Sequence, residues 1–144
     1  MKLSMIKTAL VSVALITAAG SASACGIATA TQFGWGNGAG VSQLGACNNT
    51  AVSQTGWGNQ ASAFTDGFGN VTAIGQEGAF NSAASSQFGT GNANGIAQFG
   101  VGNAAEVNSF GNNNSGAVIQ VGNGQTGIIN QAGSGNTANI IQAN

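Results

Sequence analysis

The stretch Gln32-Phe33-Gly34-Trp35-Gly36-Asn37-Gly38-Ala39-Gly40-Val41-Ser42-Gln43-Leu44-Gly45-Ala46-Cys47-Asn48 decides how the whole chain is read. Its pattern returns after eleven residues and keeps returning. Glycine recurs at Gly34, Gly45, Gly56, Gly67, Gly78, Gly89, Gly100, Gly111, Gly122 and Gly133 without an insertion. Three residues after each stands Asn37, Asn48, Asn59, Asn70, Asn81, Asn92, Asn103 and Asn114, then Gln125, then Asn136. Two residues before each glycine the residue is usually glutamine. Such a register, held over about a hundred residues, means that neighbouring repeats touch one another. Repetition is the fold.

Between the glycines the inward candidates recur every second residue. Asn37, Ala39, Val41, Gln43 and Gly45 are followed by Asn48, Thr50, Val52, Gln54 and Gly56. Period two places each set on one face of a strand. The apolar column runs Val41, Val52, Ala63, Ile74, Ile96, Val107, Val118, Ile129 and Ile140, with Ser85 as its exception. Gly-x-Gly-Asn segments between the strands suit tight turns, since glycine and asparagine tolerate positive φ. Eleven is odd, so each turn must reverse parity to keep the same face inward.

The glutamine column sets the true rung at twenty-two residues. Gln32, Gln54, Gln76, Gln98, Gln120 and Gln142 form one unbroken series. The intervening series alternates as Gln43, Thr65, Gln87, Ser109 and Gln131. A rung of eleven would also set Asp66 beside Glu77, where like charges repel. The expected fold is therefore all-β. It is a β-solenoid of five strand–turn–strand rungs (32–53, 54–75, 76–97, 98–119 and 120–144) forming two facing, parallel, in-register sheets.

Residues 1–24 read as a secretory signal. Lys2 and Lys7 precede an apolar run from Thr8 to Ala19, and Ala22-Ser23-Ala24 offers a small-x-small cleavage site. The run is too short to span a bilayer as a stable helix, so no membrane span is expected in the mature chain. Removing it leaves a short segment, 25–31, before the repeat domain at 32–144. It also removes both lysines, and the chain has no histidine. Without cationic side chains, nucleic-acid binding by phosphate neutralisation and electrostatic attachment to anionic lipid are excluded. Low charge, no proline and many amides suggest disorder that is prone to β-aggregation rather than a charged, solvated linker.

The Gln-x4-Asn-x5-Gln alternation, with glycine two residues after each glutamine, resembles the repeat of the curlins, secreted bacterial subunits that polymerise into curli amyloid fibres. Gln32-Phe33-Gly34-Trp35-Gly36-Asn37 leading to Gln43 carries the resemblance, as does Gln98-Phe99-Gly100-Val101-Gly102-Asn103. It extends over about 32–142. The family implies export through an outer-membrane pore, a nucleator subunit as partner, and extracellular fibres serving adhesion and biofilm. The matching amides would be those that stack along the fibre. Family repeats often open with serine where this chain has asparagine, and Thr65, Ser109 and Gln125 also depart from the pattern. The segment from Cys25 to Thr31 is short beside the family's export-recognition region.

Other residues are weighed against that frame. Cys25 and Cys47 are twenty-two apart. A partial rung at the N-terminus would set them about one strand spacing, ~4.8 Å, from each other, within reach of a disulfide. Asp66, Glu77 and Glu106 point outward by parity, either as gatekeepers against premature association or as solvated charge. Trp35 with Trp57, and Phe88 with Phe110, should stack between rungs, and exposed aromatics also suit lateral packing or surface adhesion. No nucleophile–base pair, metal cluster or cofactor-binding loop is present in the repeats, so an enzyme, a metal site and a cofactor are not expected. Two rivals to the major fibre subunit remain: a nucleator of the same family, and a monomeric β-solenoid binding module. The uncharged last rung, 120–144, is the expected docking surface for an incoming chain.

Overall fold

The computed structural model describes the backbone of residues 13–19 and the whole of residues 25–144. The expected leader over 1–24 otherwise lies outside the described residues. Twelve strands follow in order: β1 (Val13–Ala19), β2 (Ile27–Trp35), β3 (Gly38–Ala46), β4 (Asn49–Trp57), β5 (Gln60–Phe68) and β6 (Val71–Ala79), then β7 (Ser82–Thr90), β8 (Ala93–Val101), β9 (Ala104–Asn112), β10 (Ser115–Asn123), β11 (Thr126–Ser134) and β12 (Thr137–Ala143). Odd strands form one sheet in the order β1-β3-β5-β7-β9-β11, and even strands form the other in the order β2-β4-β6-β8-β10-β12. Every pairing is parallel. Among residues 25–144 the register offset is twenty-two throughout, as in Gln54 beside Gln76 and Val52 beside Ile74. The chain is a β-solenoid of stacked strand–turn–strand rungs.

Strands β2 to β11 are nine residues long and β12 is seven, and along them side chains alternate between the interior and the outer face. In β4 burial alternates strictly from Asn49 to Gln54 and then lapses at Gly56. The apolar core is thin: Val41, Val52, Ile74, Ile96, Val107, Val118 and Ile129, with small alanines beside them. Asparagine and glutamine fill the remaining interior, and Asn59, Asn70, Gln54, Gln87, Gln98 and Gln120 are completely buried. A buried amide is costly unless each of its hydrogen-bonding groups finds a partner. The fold therefore depends on where those amides point.

The corners contain two left-handed positions rather than one. The repeat glycines sit at the eighth position of the strands, with φ between 88° and 128°. They bend the chain before the turn and do not contribute to the interior face, so the inward set ends at the glutamine. The turn itself is made two residues later by Gly36, Gly58, Gly69, Gly91, Gly102, Gly124 and Gly135. Cys47, Phe80 and Asn113 take the same place with φ of 58°, 56° and 54°. Phe80 is an unusual residue for this conformation. Its ring lies over Gly58, where an added Cβ would come within 2.8 Å of it.

Rung boundaries fall at these turns, not at the glutamines. Because each strand begins just past the repeat asparagine, residues 27–31 of the segment 25–31 fall within β2. The rungs pair β2 with β3, β4 with β5, β6 with β7, β8 with β9 and β10 with β11, and β12 is left as a half-rung. Backbone pairing continues through the corners, for example from Gly58 N–H to Trp35 O at 2.7 Å and from Gly38 N–H to Asn59 O at 2.8 Å.

Candidate functional site

The interior of the even-strand sheet holds a continuous side-chain ladder. Gln32 donates to Gln54, Gln54 to Gln76, Gln76 to Gln98, Gln98 to Gln120 and Gln120 to Gln142, always from Nε2 to Oε1 and over 2.6–2.9 Å. All five bonds point the same way along the stack. Each Nε2 from Gln54 onward also donates across the interior to a carbonyl at the start of the preceding strand: Gln54 to Gly38, Gln76 to Gln60, Gln98 to Ser82, Gln120 to Ala104 and Gln142 to Thr126. One amide thus ties two rungs and two sheets together. At the end of the ladder Gln32 Oε1 is buried without a partner.

In the odd-strand sheet the column Gln43, Thr65, Gln87, Ser109, Gln131 is interrupted, and sequence reasoning missed the residues that compensate. Gln43 donates to Thr50 Oγ1 at 2.8 Å, and Thr72 Oγ1 donates to Gln87 Oε1 at 2.8 Å. Asn94 donates to Ser85 Oγ and to Val107 O, both at 3.1 Å, and accepts from Ser109 Oγ at 2.7 Å. Ser85 and Ser109, two departures from the repeat, are therefore answered by a third, Asn94. The signal was present: Thr50, Thr72 and Asn94 are spaced twenty-two apart in an otherwise small-residue column. What could not be read was which side of the interior each hydroxyl would address.

Thr65 is the one hydroxyl in this network left over. It is fully buried and its Oγ1 is unpartnered, because Thr50 and Thr72 are engaged by Gln43 and Gln87. Thr65→Val keeps the shape and removes the orphan. It is expected to stabilise the fold by about 1 kcal/mol or more, read as a higher guanidinium midpoint; a lower midpoint would show that the hydroxyl is satisfied in solution.

The asparagines form a second pair of ladders at the corners. In each, Oδ1 accepts the backbone N–H of the residue twenty-two further on: Asn37 from Asn59, Asn48 from Asn70, Asn59 from Asn81, Asn70 from Asn92, Asn81 from Asn103 and Asn92 from Asn114. Nδ2 donates to the carbonyl four residues back and to the glycine carbonyl nineteen ahead, as in Asn92 to Phe88 at 3.2 Å and to Gly111 at 2.8 Å. Gln125 keeps only part of this. Its N–H still reaches Asn103 Oδ1 at 3.0 Å, but its own Oε1 is buried without a partner. Asn136 accepts no such bond, though its N–H reaches Asn114 Oδ1 at 3.0 Å.

Outside the ladders the remaining candidates are separate from one another. Cys25 and Cys47 are joined as a disulfide with Cα atoms 4.4 Å apart. The link closes a loop across twenty-two residues and staples the start of β2 to the corner between β3 and β4. Replacing both by serine is expected to cost about 3 kcal/mol if the bond acts through loop closure, measured as the midpoint difference between oxidised wild type and the variant; equal midpoints would refute that role. Asp66 lies between Leu44 and Phe88, Glu77 between Thr55 and Phe99, and Glu106 between Ala84 and Ile128. Each acid interrupts an outward column, and Glu106 accepts a hydrogen bond from Asn108 at 2.6 Å. Phe88 and Phe110 stack with centroids 5.1 Å apart, and Phe64 meets Phe88 at 5.2 Å. Trp35 and Trp57 are register neighbours without ring contact; at the strand ends both project into solvent, 57% and 65% exposed.

Among the described residues no helix is long and apolar enough to cross a membrane, and no group of three or more His, Cys, Asp or Glu is gathered as for a metal. The arrangement presents parallel strand edges, with the glutamine ladder of the even-strand sheet running from Gln32 to Gln142.

No curated protein and no solved structure matches the chain. A family model described as the curlin associated repeat matches residues 111–143. The matched stretch spans the end of β9 to β12, and the register that defines it runs back without a slip to Gln32. Residues 111–143 are thus similar to the curlin associated repeat, and the same register continues through the strands before them.

Proposed function

We propose that this protein is a secreted structural subunit that assembles by templated strand addition into extracellular, curli-like amyloid fibres at the bacterial cell surface. In this reading the leader over 1–24 is removed during export through an outer-membrane pore. The fibres then serve adhesion and the biofilm matrix, started by a separate nucleator subunit. The observation that carries the reading is the one-directional glutamine ladder ending at Gln32 Oε1, buried and unpartnered. An end of this kind is completed by another rung of the same composition. The free edges of both sheets are neither charged nor broken by proline, the usual defences against edge-to-edge growth. The amides at Gln32 to Gln142 and Asn37 to Asn136 are assigned as the stacking elements. The acids Asp66, Glu77 and Glu106 act as gatekeepers that interrupt the outward columns and oppose premature association.

The test is thioflavin T fluorescence on residues 25–144 freshly released from denaturant, with fibre diffraction of the product. A lag, acceleration by preformed seeds and a reflection near ~4.8 Å are expected. A soluble monomer with immediate β-sheet signal and no growth would overturn the fibre reading in favour of a solitary binding module. Seeding of a second protein without growth of its own would assign the chain as a nucleator.

A further inference from the structure

Residues 25–144 fold into eleven strands, β2 to β12, and eleven is odd. Successive strands alternate between the two sheets, so one sheet holds six of them and the other five. β12 is the last strand of the even sheet and β11 the last of the odd sheet. If alternation continues into a second copy, the first strand of that copy, β2, must follow β11, and its β3 must follow β12. The copy's even strands then extend the odd sheet of the chain before it. We propose that consecutive copies of residues 25–144 in a fibre are related by a half-turn about the fibre axis, superposed on the twist of the solenoid.

Stacking without the half-turn would set β2 on β12 correctly but leave β3 two strand spacings from β11. The vacant slot would strand two rows of backbone N–H and C=O groups in the middle of the fibre, each costing free energy comparable to a lost hydrogen bond. The half-turn leaves no vacancy, and the side chains agree with it. β2 then lies on β11 with Gln32 beside Gln131. Gln131 Nε2 donates to Ser115 O at 2.9 Å and has a second N–H available for the unpartnered Gln32 Oε1. That bond has the same direction as every other in the ladder. β3 lies on β12 with Gln43 beside Gln142.

The edge of β3 is competent to take a parallel strand. In the full chain β1 occupies it, pairing from Val13 with Gly38 to Ala19 with Leu44. This is the seat that β12 of a neighbouring copy takes in the half-turn arrangement. A chain that kept β1 would have twelve strands, an even number, and its copies would stack without rotation. The inference thus rests on the fibre reading and on loss of the leader proposed above.

Helical reconstruction by cryo-electron microscopy of fibres grown from residues 25–144 tests it. The expected subunit rise is five and a half strand spacings, about 26 Å, with a rotation near a half-turn. A rise near ~29 Å without that rotation would overturn the proposal. So would strands that do not run on from copy to copy. A cross-linking experiment gives an independent answer in fibres mixed from two single-cysteine chains, both carrying Cys25→Ser and Cys47→Ser. Phe33→Cys with Ala132→Cys should give a covalent dimer on a non-reducing gel, while Phe33→Cys with Ala143→Cys should not. The reverse pattern, or fibres that yield neither dimer, would sink the half-turn while leaving assembly intact. Absence of any fibre would remove both readings together.

Discussion

Gly89→Ala is expected to prevent the rung at β7 from stacking on the rung at β9. Gly89 has φ of 122°, a region that side chains rarely enter, and a Cβ there would overlap the carbonyl oxygen of Gly111. The obstacle is backbone in register with Gly89, so no rotamer change can relieve it. Separating the two strands would break ladder hydrogen bonds and the Asn92 bond to Gly111. Strain and lost pairing together should cost on the order of 3 kcal/mol or more. In assembly the expected result is a lag lengthened several-fold or abolished growth, with little seeding by wild-type fibres. Two other glycines serve as internal comparisons. At Gly69, with φ of 66° and open space where a Cβ would stand, alanine is expected to cost only about 1 kcal/mol. At Gly75, with ordinary φ and nothing nearby, alanine should be neutral or slightly stabilising. Equal behaviour of the three variants would refute the assignment of the repeat glycines to close backbone stacking.

Gln98→Leu should have the second large effect, for a different reason. The replacement nearly preserves volume, so the loss is not one of packing. Gln98 is fully buried, accepts from Gln76 at 2.8 Å and donates to Gln120 at 2.9 Å and to Ser82 O at 3.0 Å. Leucine leaves Gln120 Oε1 and Ser82 O without these donors, and Gln76 Nε2 keeps only its bond to Gln60 O. At about 1–3 kcal/mol for each of the three groups deprived of a partner, the cost is roughly 3–9 kcal/mol. The measurement is the guanidinium concentration that dissolves half of the assembled material, compared with Phe99→Leu on the outward face. Phe99 is half exposed, so its truncation should move that midpoint far less. If Gln98→Leu leaves the midpoint unchanged, the interior ladder does not hold the stack together.

The two variants address the two devices on which the fold depends, and these were legible to different degrees. The glycine at every eleventh residue was visible at once, but its task was not. Sequence placed Gly34 and its equivalents in the turn, whereas the structure puts them inside the strand end and gives the turn to Gly36 and its equivalents. Both positions carry glycine, and composition cannot say which needs positive φ for a turn and which needs an absent Cβ for a neighbour. The glutamine series at spacing twenty-two set the rung and the parallel register correctly, because a single slip would have turned the whole series out of the interior.

What the sequence determined by itself is the period, the rung length, the inward face and the parallel pairing, since each follows from a repeat that never slips. Only the tertiary structure decided where rungs begin, which hydroxyls repair the broken column, and that residues 25–144 fold into an odd number of strands. Those depend on directions across the interior: Thr50 turned toward Gln43, Thr72 toward Gln87, and Asn94 toward Ser85 and Ser109. A one-dimensional pattern records that a polar residue faces inward. Which partner it meets is settled only when two sheets close to hydrogen-bonding distance and every buried amide must find a donor or an acceptor.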